Sequence, residues 1–237
     1  YCASPTRQLW DWQIEYRDEG HKSPKLLIWL FQHFLRIWDR QASTRVDRYI
    51  ANSENTRQRI KKYYGRESTV IYPPVGSNNF EYITPNTLLR HDYFLIVSRL
   101  FVHKNIHLAI RAFSKLEWPL VIIGDGSEKK RLQRLANRFV DVASHDVASH
   151  GAPNIVLLGY QPDEVVQQYY ANCLAFVLPQ EEDFGITPLE AMHYGKPVLA
   201  LKRGGALEYI EQGINGEWFE DPREEMLADG ARRLKEN

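Results

Sequence analysis

The chain has 237 residues, 43 % of them apolar, with 30 basic side chains against 30 acidic ones. That length supplies a core for one large domain or one and a half smaller ones, at an apolar fraction ordinary for a folded globular protein. A net charge of zero gives no overall attraction to nucleic acid or to an anionic membrane, so any anion must be held by a local site and no nucleic-acid partner is expected. The two cysteines, Cys2 and Cys173, make no disulfide framework. Cys173 precedes an apolar run and is expected to be a small buried hydrophobe, which favours a reducing, cytoplasmic location. No Cys and His spacing suits a metal, so no metal is expected. Tyr1 is not an initiator, and residues 227–237 form a predicted helix without a closing cap. The chain is therefore expected to be truncated at both ends.

In chain order, the densest apolar run covers residues 26–38, too short for the roughly 20 residues that span a bilayer. Ser23-Pro24 is a suitable helix start. The run is apolar on nearly all sides, with His33 and Arg36 as interruptions. It is expected either to lie buried between protein layers or to touch a membrane surface through Leu26, Trp29, Phe31 and Trp38. Residues 49–51 are a predicted short strand, Asn52-Ser53 a cap, and the charged stretch up to Tyr64 a helix. A second short strand is predicted at 70–72, ended by Pro73-Pro74, which cannot continue a sheet. Residues 76–89 are polar and irregular. The predicted division is therefore 1–73, a linker at 74–90, and 91–237.

Beyond the linker, strand and helix alternate. Strands are predicted at 94–98, 120–123, 155–158, 174–178 and 197–200. Helices are predicted at 105–116, 127–139, 163–171, 188–194 and 206–211. The strands are almost wholly apolar, the mark of a parallel sheet covered on both faces. The expected fold is α/β, a doubly wound Rossmann-like parallel sheet, whose ligands sit at the carboxyl ends of the strands. Between them lies a tandem repeat, Asp141-Val142-Ala143-Ser144-His145 followed by Asp146-Val147-Ala148-Ser149-His150. Histidines five apart do not share a helix face, so the repeat is expected to be a duplication in a surface loop.

Three loops carry candidate chemistry. The first, 98–105, offers Arg99 and Lys104 near a helix start, a combination suited to a diphosphate. The second, Gly124-Asp125-Gly126, lets the backbone turn tightly and approach a ligand. The third runs through Glu182, Phe184, Gly185, Ile186, Thr187, Pro188 and Glu190. Pro188 fits a first helical turn, so the amides of Gly185, Ile186 and Thr187 would face an anion or a sugar oxygen. Glu182 and Glu190 would accept hydrogen bonds from sugar or ribose hydroxyls.

Glu182 and Glu190, with seven residues between them around Phe184-Gly185-Ile186 and Pro188-Leu189-Glu190-Ala191-Met192, resemble the hallmark of family 4 (group 1) retaining glycosyltransferases of the GT-B fold. Ser98-Arg99-Leu100 with Lys104 resembles the diphosphate loop of that family. Ile122-Ile123-Gly124-Asp125-Gly126 is similar to its next strand and turn. Gly204-Gly205, Glu208 and Gly213-Ile214-Asn215-Gly216 are similar to its closing segment, and Ile71-Tyr72-Pro73-Pro74-Val75 to its interdomain link. The N-terminal part is most similar to bacterial mannosyltransferase-like members, with His103-Lys104-Asn105 in place of their Tyr-Lys-Arg and Ala3-Ser4 in place of their His-Thr.

The resemblance implies two Rossmann-like domains, the N-terminal acceptor-binding one truncated here. It implies transfer of a hexose, mannose-like favoured, from a nucleoside diphosphate sugar to a glycan or lipid-linked acceptor with retention, in polysaccharide biosynthesis. Arg99, Lys104 and Glu182 would be catalytic. Gly124, Gly126, Phe184, Gly185, Ile186, Thr187 and Glu190 would bind the donor, Glu182 at its sugar and Glu190 at its ribose. No cofactor beyond the donor substrate and no metal are implied. The protein would be cytoplasmic, with a peripheral contact at the inner membrane face. The alternatives are a non-catalytic sugar-nucleotide-binding module and a nucleotide-sugar epimerase.

Overall fold

The computed structural model describes residues 1–11, 25–75, 92–143 and 154–236. The chain divides into two compact units, Tyr1–Pro73 and Pro74–Asn237. Residues 76–91, the Ser23-Pro24 helix start, the side chain of Leu26 and most of the tandem repeat lie outside the described residues.

The first unit is a βαβ element with two helices before it. β1 (Tyr49–Ala51) and β2 (Ser68–Val70) pair in parallel, joined by α3 (Glu54–Tyr64). The second strand thus lies two residues earlier than expected, ending at Val70. Ser53 caps α3, its hydroxyl accepting from the Thr56 amide at 2.9 Å, and Gly65 ends it with φ +68°. Such a residue is usually glycine because a Cβ disfavours that backbone.

α1 (Arg7–Trp10) and α2 (Lys25–Ser43) are tied to this core by polar side chains. Asp39 of α2 accepts from Trp10 Nε1 at 2.8 Å and from the Tyr64 hydroxyl at 3.0 Å. Asp11 accepts from Tyr63 and pairs with Arg59, while Trp10 stacks on Tyr63 at 4.9 Å. The side of α2 that carries Asp39 therefore faces protein. The remaining surface shows Phe31, Phe34 and Trp38, which are 64, 66 and 65 % exposed, beside Trp29, Leu30 and Ile37. Within the described residues, α2 is amphipathic with its apolar side outward.

The second unit is a six-stranded parallel sheet in the order β5-β4-β3-β6-β7-β8. Its strands are β3 (Phe94–Val97), β4 (Leu120–Ile123), β5 (Ile155–Gly159), β6 (Ala175–Leu178), β7 (Val198–Leu201) and β8 (Gly216–Phe219). The helices are α4 (Ile106–Leu116), α5 (Lys129–Ala143), α6 (Asp163–Asn172), α7 (Ile186–His193) and α8 (Glu224–Glu236). Alternation along β3 sorts the two cores. Phe94 and Ile96 pack with Ile110 and Phe113 of α4, Leu132 of α5 and Leu227 of α8. Leu95 packs with Tyr170 of α6, Phe176 and Ala191 of α7. Coverage on both faces is why these strands are continuous apolar runs.

Two expectations are corrected. The helix expected at 206–211 is a single 3-10 turn, Gly205–Glu208. Asn215 explains the stop: its side chain accepts from the Glu211 amide at 2.7 Å and donates to the Tyr209 carbonyl at 2.9 Å, occupying groups a continuing helix would use. β8 was not expected, because Gly216 opens it and Glu217 interrupts its apolar run. Glu217 is nevertheless buried, accepting from Gln212 at 3.1 Å and Arg233 at 3.4 Å. Cys173 is buried as expected, its thiol donating to the Tyr170 carbonyl at 3.3 Å, and burial pushes its pKa up to about 12.

Asp11 supplies a pH test of the first unit. Burial opposes its charge, but hydrogen bonds from Tyr63 and Arg59 outweigh burial and hold it below its ordinary 3.8. A carboxylate with a depressed folded pKa stabilises the fold above its unfolded value and loses that contribution as the pH falls through the folded one. Asp11→Asn is expected to destabilise the chain by about 2 kcal/mol at pH 7. In thermal melts across pH, the gap from wild type should narrow once the pH drops below 3.8.

Candidate functional site

The order of the sheet reverses between β3 and β6, which lie side by side through Phe94 with Ala175 and Leu95 with Phe176. Their connections leave in opposite directions, so a crevice opens at their carboxyl ends, the place where open α/β sheets bind ligands. The loops after these two strands are the first and third of the predicted candidates.

Lys104 and Glu182 meet there. Lys104 ends a 3-10 turn, Val102–Lys104, rather than opening α4, and the residue is only 8 % exposed. Its ammonium pairs with the Glu182 carboxylate across 78 residues of sequence. Gln180, also buried, donates to the same carboxylate at 2.9 Å. Asn105 adds a longer tie, its amide reaching the Pro179 carbonyl at 3.4 Å. Arg99 stands exposed on the first loop, its guanidinium 5.6 Å from the centre of the Phe101 ring. The loop therefore offers one cation already held by a carboxylate and one cation in water.

Gly185 precedes α7 with φ +85°, and a Cβ there would stand 2.7 Å from the Tyr209 hydroxyl. The helix starts two residues earlier than expected, so Pro188 is its third residue and Glu190 lies in its second turn. Ile186 is exposed and Thr187 half-buried, and their amides belong to the first turn, which has no helical acceptors for them. Phe184 turns inward, 7 % exposed, edge-on to Tyr209 at 6.1 Å. Glu190 accepts from the Tyr170 hydroxyl at 2.8 Å. Burial first, and Glu190 second, push the Tyr170 pKa far up, so the phenol stays protonated as a donor. Sequence reasoning missed Tyr170, Gln180 and Tyr209. Gln180 stood within the motif itself; the two tyrosines carry no local signal.

The glycines make close approaches of backbone to backbone. A Cβ on Gly124 would stand 1.9 Å from the Ser98 carbonyl oxygen, and one on Gly126 2.4 Å from that of Leu100. The Leu100 amide donates to Asp125 at 2.9 Å and the Glu128 amide to Leu100 at 3.0 Å, sealing that contact. On the other flank, a Cβ on Gly204 would lie 2.2 Å from the Glu182 carbonyl oxygen, and the Gly205 amide donates to Glu182 at 2.8 Å. Gly124-Asp125-Gly126 thus braces the loop of Arg99, and Gly204-Gly205 braces the loop of Glu182.

Residues 86–237 match the family of glycosyl transferases group 1, and the chain belongs to it. Among curated proteins it is 28 % identical over 202 residues to the alpha-1,3/1,6-mannosyltransferase ALG2 of Dictyostelium discoideum, covering 72 % of this chain and 48 % of that protein. It is 26 % identical over 180 residues to the O-antigen chain mannosyltransferase C of Escherichia coli, covering 70 % and 45 %. The chain thus spans about half the length of these relatives. The fold is that of GT-B glycosyltransferases. Anabaena Alr3699/HepE, solved in complex with UDP, superposes with a TM-score of 0.67 at 24 % identity, covering 85 % of this chain and 57 % of that one. The lipopolysaccharide outer core galactosyltransferase WaaB gives 0.60 at 26 % identity, covering 81 % and 53 %.

The bracing contacts set a testable contrast between two glycines of positive φ. Gly195→Ala meets no atom within 4 Å and should cost only the backbone strain, about 1 kcal/mol. Gly124→Ala must also push the Ser98 carbonyl away and should cost at least about 3 kcal/mol. Urea unfolding of both variants measures the difference.

Proposed function

We propose that this chain is the donor-binding part, with a portion of the acceptor-binding part, of a hexosyltransferase. The favoured reaction moves a mannose-like sugar from a nucleoside diphosphate to a glycan or lipid-linked acceptor, with retention and without a metal. The observation that carries this reading is the Lys104–Glu182 pair at the crevice between β3 and β6, with the N-terminus of α7 beside it. In this reading Pro74–Asn237 takes the donor and Tyr1–Pro73 belongs to the acceptor side.

Each residue has a defined task. Lys104 and Arg99 neutralise the charge that develops on the departing diphosphate, placed before reaction begins. Donor binding draws Lys104 toward phosphate, and Glu182 then turns to the sugar hydroxyls. The amides of Gly185, Ile186 and Thr187 hold phosphate or sugar oxygen. Glu190 receives the ribose hydroxyls on the oxygen that Tyr170 leaves open. Gly124 and Gly126 keep the Arg99 loop low enough for the donor to enter. Lys104 and Arg99 together substitute for a divalent ion, so binding should survive a chelator.

Calorimetry with GDP-, UDP- and ADP-sugars tests the assignment. Arg99→Ala and Glu190→Ala are each expected to weaken binding about tenfold, near 1.4 kcal/mol, with the melting temperature little changed in Arg99→Ala and lowered in Glu190→Ala, which strands the Tyr170 hydroxyl. Unchanged affinity in both variants would remove the site. With the full-length protein, transfer to an acceptor supports the reading, and release of an altered free sugar would mark an epimerase instead.

A second reading concerns α2. Its outward Trp29, Phe31 and Trp38 suit a peripheral contact at the cytoplasmic membrane face, where indole rings are favoured. No helix among the described residues is long and apolar enough to cross a membrane. Each large side chain buried in lipid would contribute roughly 1.5–3 kcal/mol, so a few suffice for reversible docking. Phosphatidylcholine vesicles should sediment the full-length protein, and Trp29→Ser with Phe31→Ser should release it. A wild type that stays in the supernatant assigns this face to protein contact.

A further inference from the structure

A second concentration of positive charge begins at His107, three residues beyond Lys104, and lies between α4 and α5 rather than between the loops after β3 and β6. The outer surfaces of α4 and α5 enclose a groove of about 390 Å³. His107 and Arg111, one turn apart, line its α4 side; Arg131, Arg134 and Arg138 line its α5 side. Both sets share one helix face, since residues three, four and seven apart lie above one another. Leu132 and Leu135 form the floor and anchor α5 to the sheet.

Counter-charge is scarce there. Arg131 pairs with Glu128 at 2.7 Å and Arg111 approaches Glu224 of α8 at 3.9 Å. Arg134 donates to the Lys130 carbonyl, and among the described residues neither Arg134 nor Arg138 pairs with a carboxylate. The α5 stripe extends over about 10 Å of helix, long enough for two phosphates rather than one. Guanidinium groups offer paired donors matched to phosphate oxygens, and they are weakly hydrated, so they lose little on binding.

We propose that this groove is a second anion site, distinct from the donor crevice, which takes a phosphate-bearing ligand with two or more phosphates, free or carried by lipid headgroups. His107 reports on it. The imidazole is half-buried and held below its ordinary pKa, first by burial and then by Arg131 and Arg111, with Glu128 and Glu224 opposing them. An anion bound among the arginines reverses that balance, favours the imidazolium, and binds more tightly as the pH falls through the His107 titration.

The test follows the His107 ring by NMR, its signals assigned with His107→Gln. Arg99→Ser, exposed and outside the groove, is followed alongside, and a His107 response lost in that variant belongs to the donor crevice and overturns the site. Inorganic pyrophosphate is expected to shift these signals and raise the His107 pKa. Arg134→Ser with Arg138→Ser, both on the exposed side of α5, should weaken that response at least fivefold while the melting temperature holds. A His107 signal that pyrophosphate leaves unmoved, that chloride moves equally at matched ionic strength, or that is indifferent to the double substitution overturns the site. Flotation with phosphatidylglycerol vesicles, against phosphatidylcholine alone, identifies the source. Retention that needs the anionic lipid and is lost in the double variant assigns the groove to headgroups. A pyrophosphate response without such retention assigns it to a free phosphoanion.

Discussion

A lysine removed from water must keep a carboxylate within reach, and Lys104 keeps Glu182. Losing one partner of such a pair strands the other's charge at a cost on the order of 3 kcal/mol. The pair therefore acts as a tie between the loops after β3 and β6, where the sheet reverses its order. In the proposed reading, the pair also sets what a ligand has to offer: a group that satisfies the ammonium as well as Glu182 does, together with hydroxyls that satisfy the freed carboxylate. A sugar joined to a diphosphate supplies both from one molecule.

The glycines on either side do not lend mobility to this arrangement. At Gly124 and Gly204 the missing Cβ lets one loop lie directly on the carbonyl oxygens of the next. Amide hydrogen bonds then fasten Leu100 to Asp125 and Gly205 to Glu182. Four loops become one continuous rim, and the two charged side chains are held by backbone rather than by their own length. Rigid supports of this kind keep donor groups aimed where charge will appear, which is the requirement for electrostatic stabilisation.

Much of this was legible in the sequence because it rests on local patterns. Five of the six strands are short apolar runs bounded by glycine, proline or charge, and each lies within a residue or two of its expected position. Arg99, Lys104, Glu182, Gly185 and Glu190 could be singled out as candidates because loops that follow strands of a doubly wound sheet collect at one edge. What escaped depends on partners distant in sequence. β8 holds a buried glutamate that only Gln212 and Arg233 make tolerable. The stop after Glu208 depends on the Asn215 side chain, and the Glu190–Tyr170 bond joins two helices. For α2, composition gave an apolar helix, but the bonds of Asp39 and Ser43 to residues distant in sequence decide which side turns inward.

The pairing of β3 has a consequence for how the chain acquires its structure. Phe94 meets Leu120 on one side, soon after it in sequence, and Ala175 on the other, far beyond it. Closing the longer loop costs more chain entropy and is rewarded by only two paired positions, Phe94 and Leu95. The half-sheet of β3, β4 and β5 can therefore assemble first, and the β6–β7–β8 half docks onto it afterwards. The crevice lined by Lys104 and Glu182 is the seam of that docking, so the two loops it joins belong to halves of the sheet that are far apart in sequence.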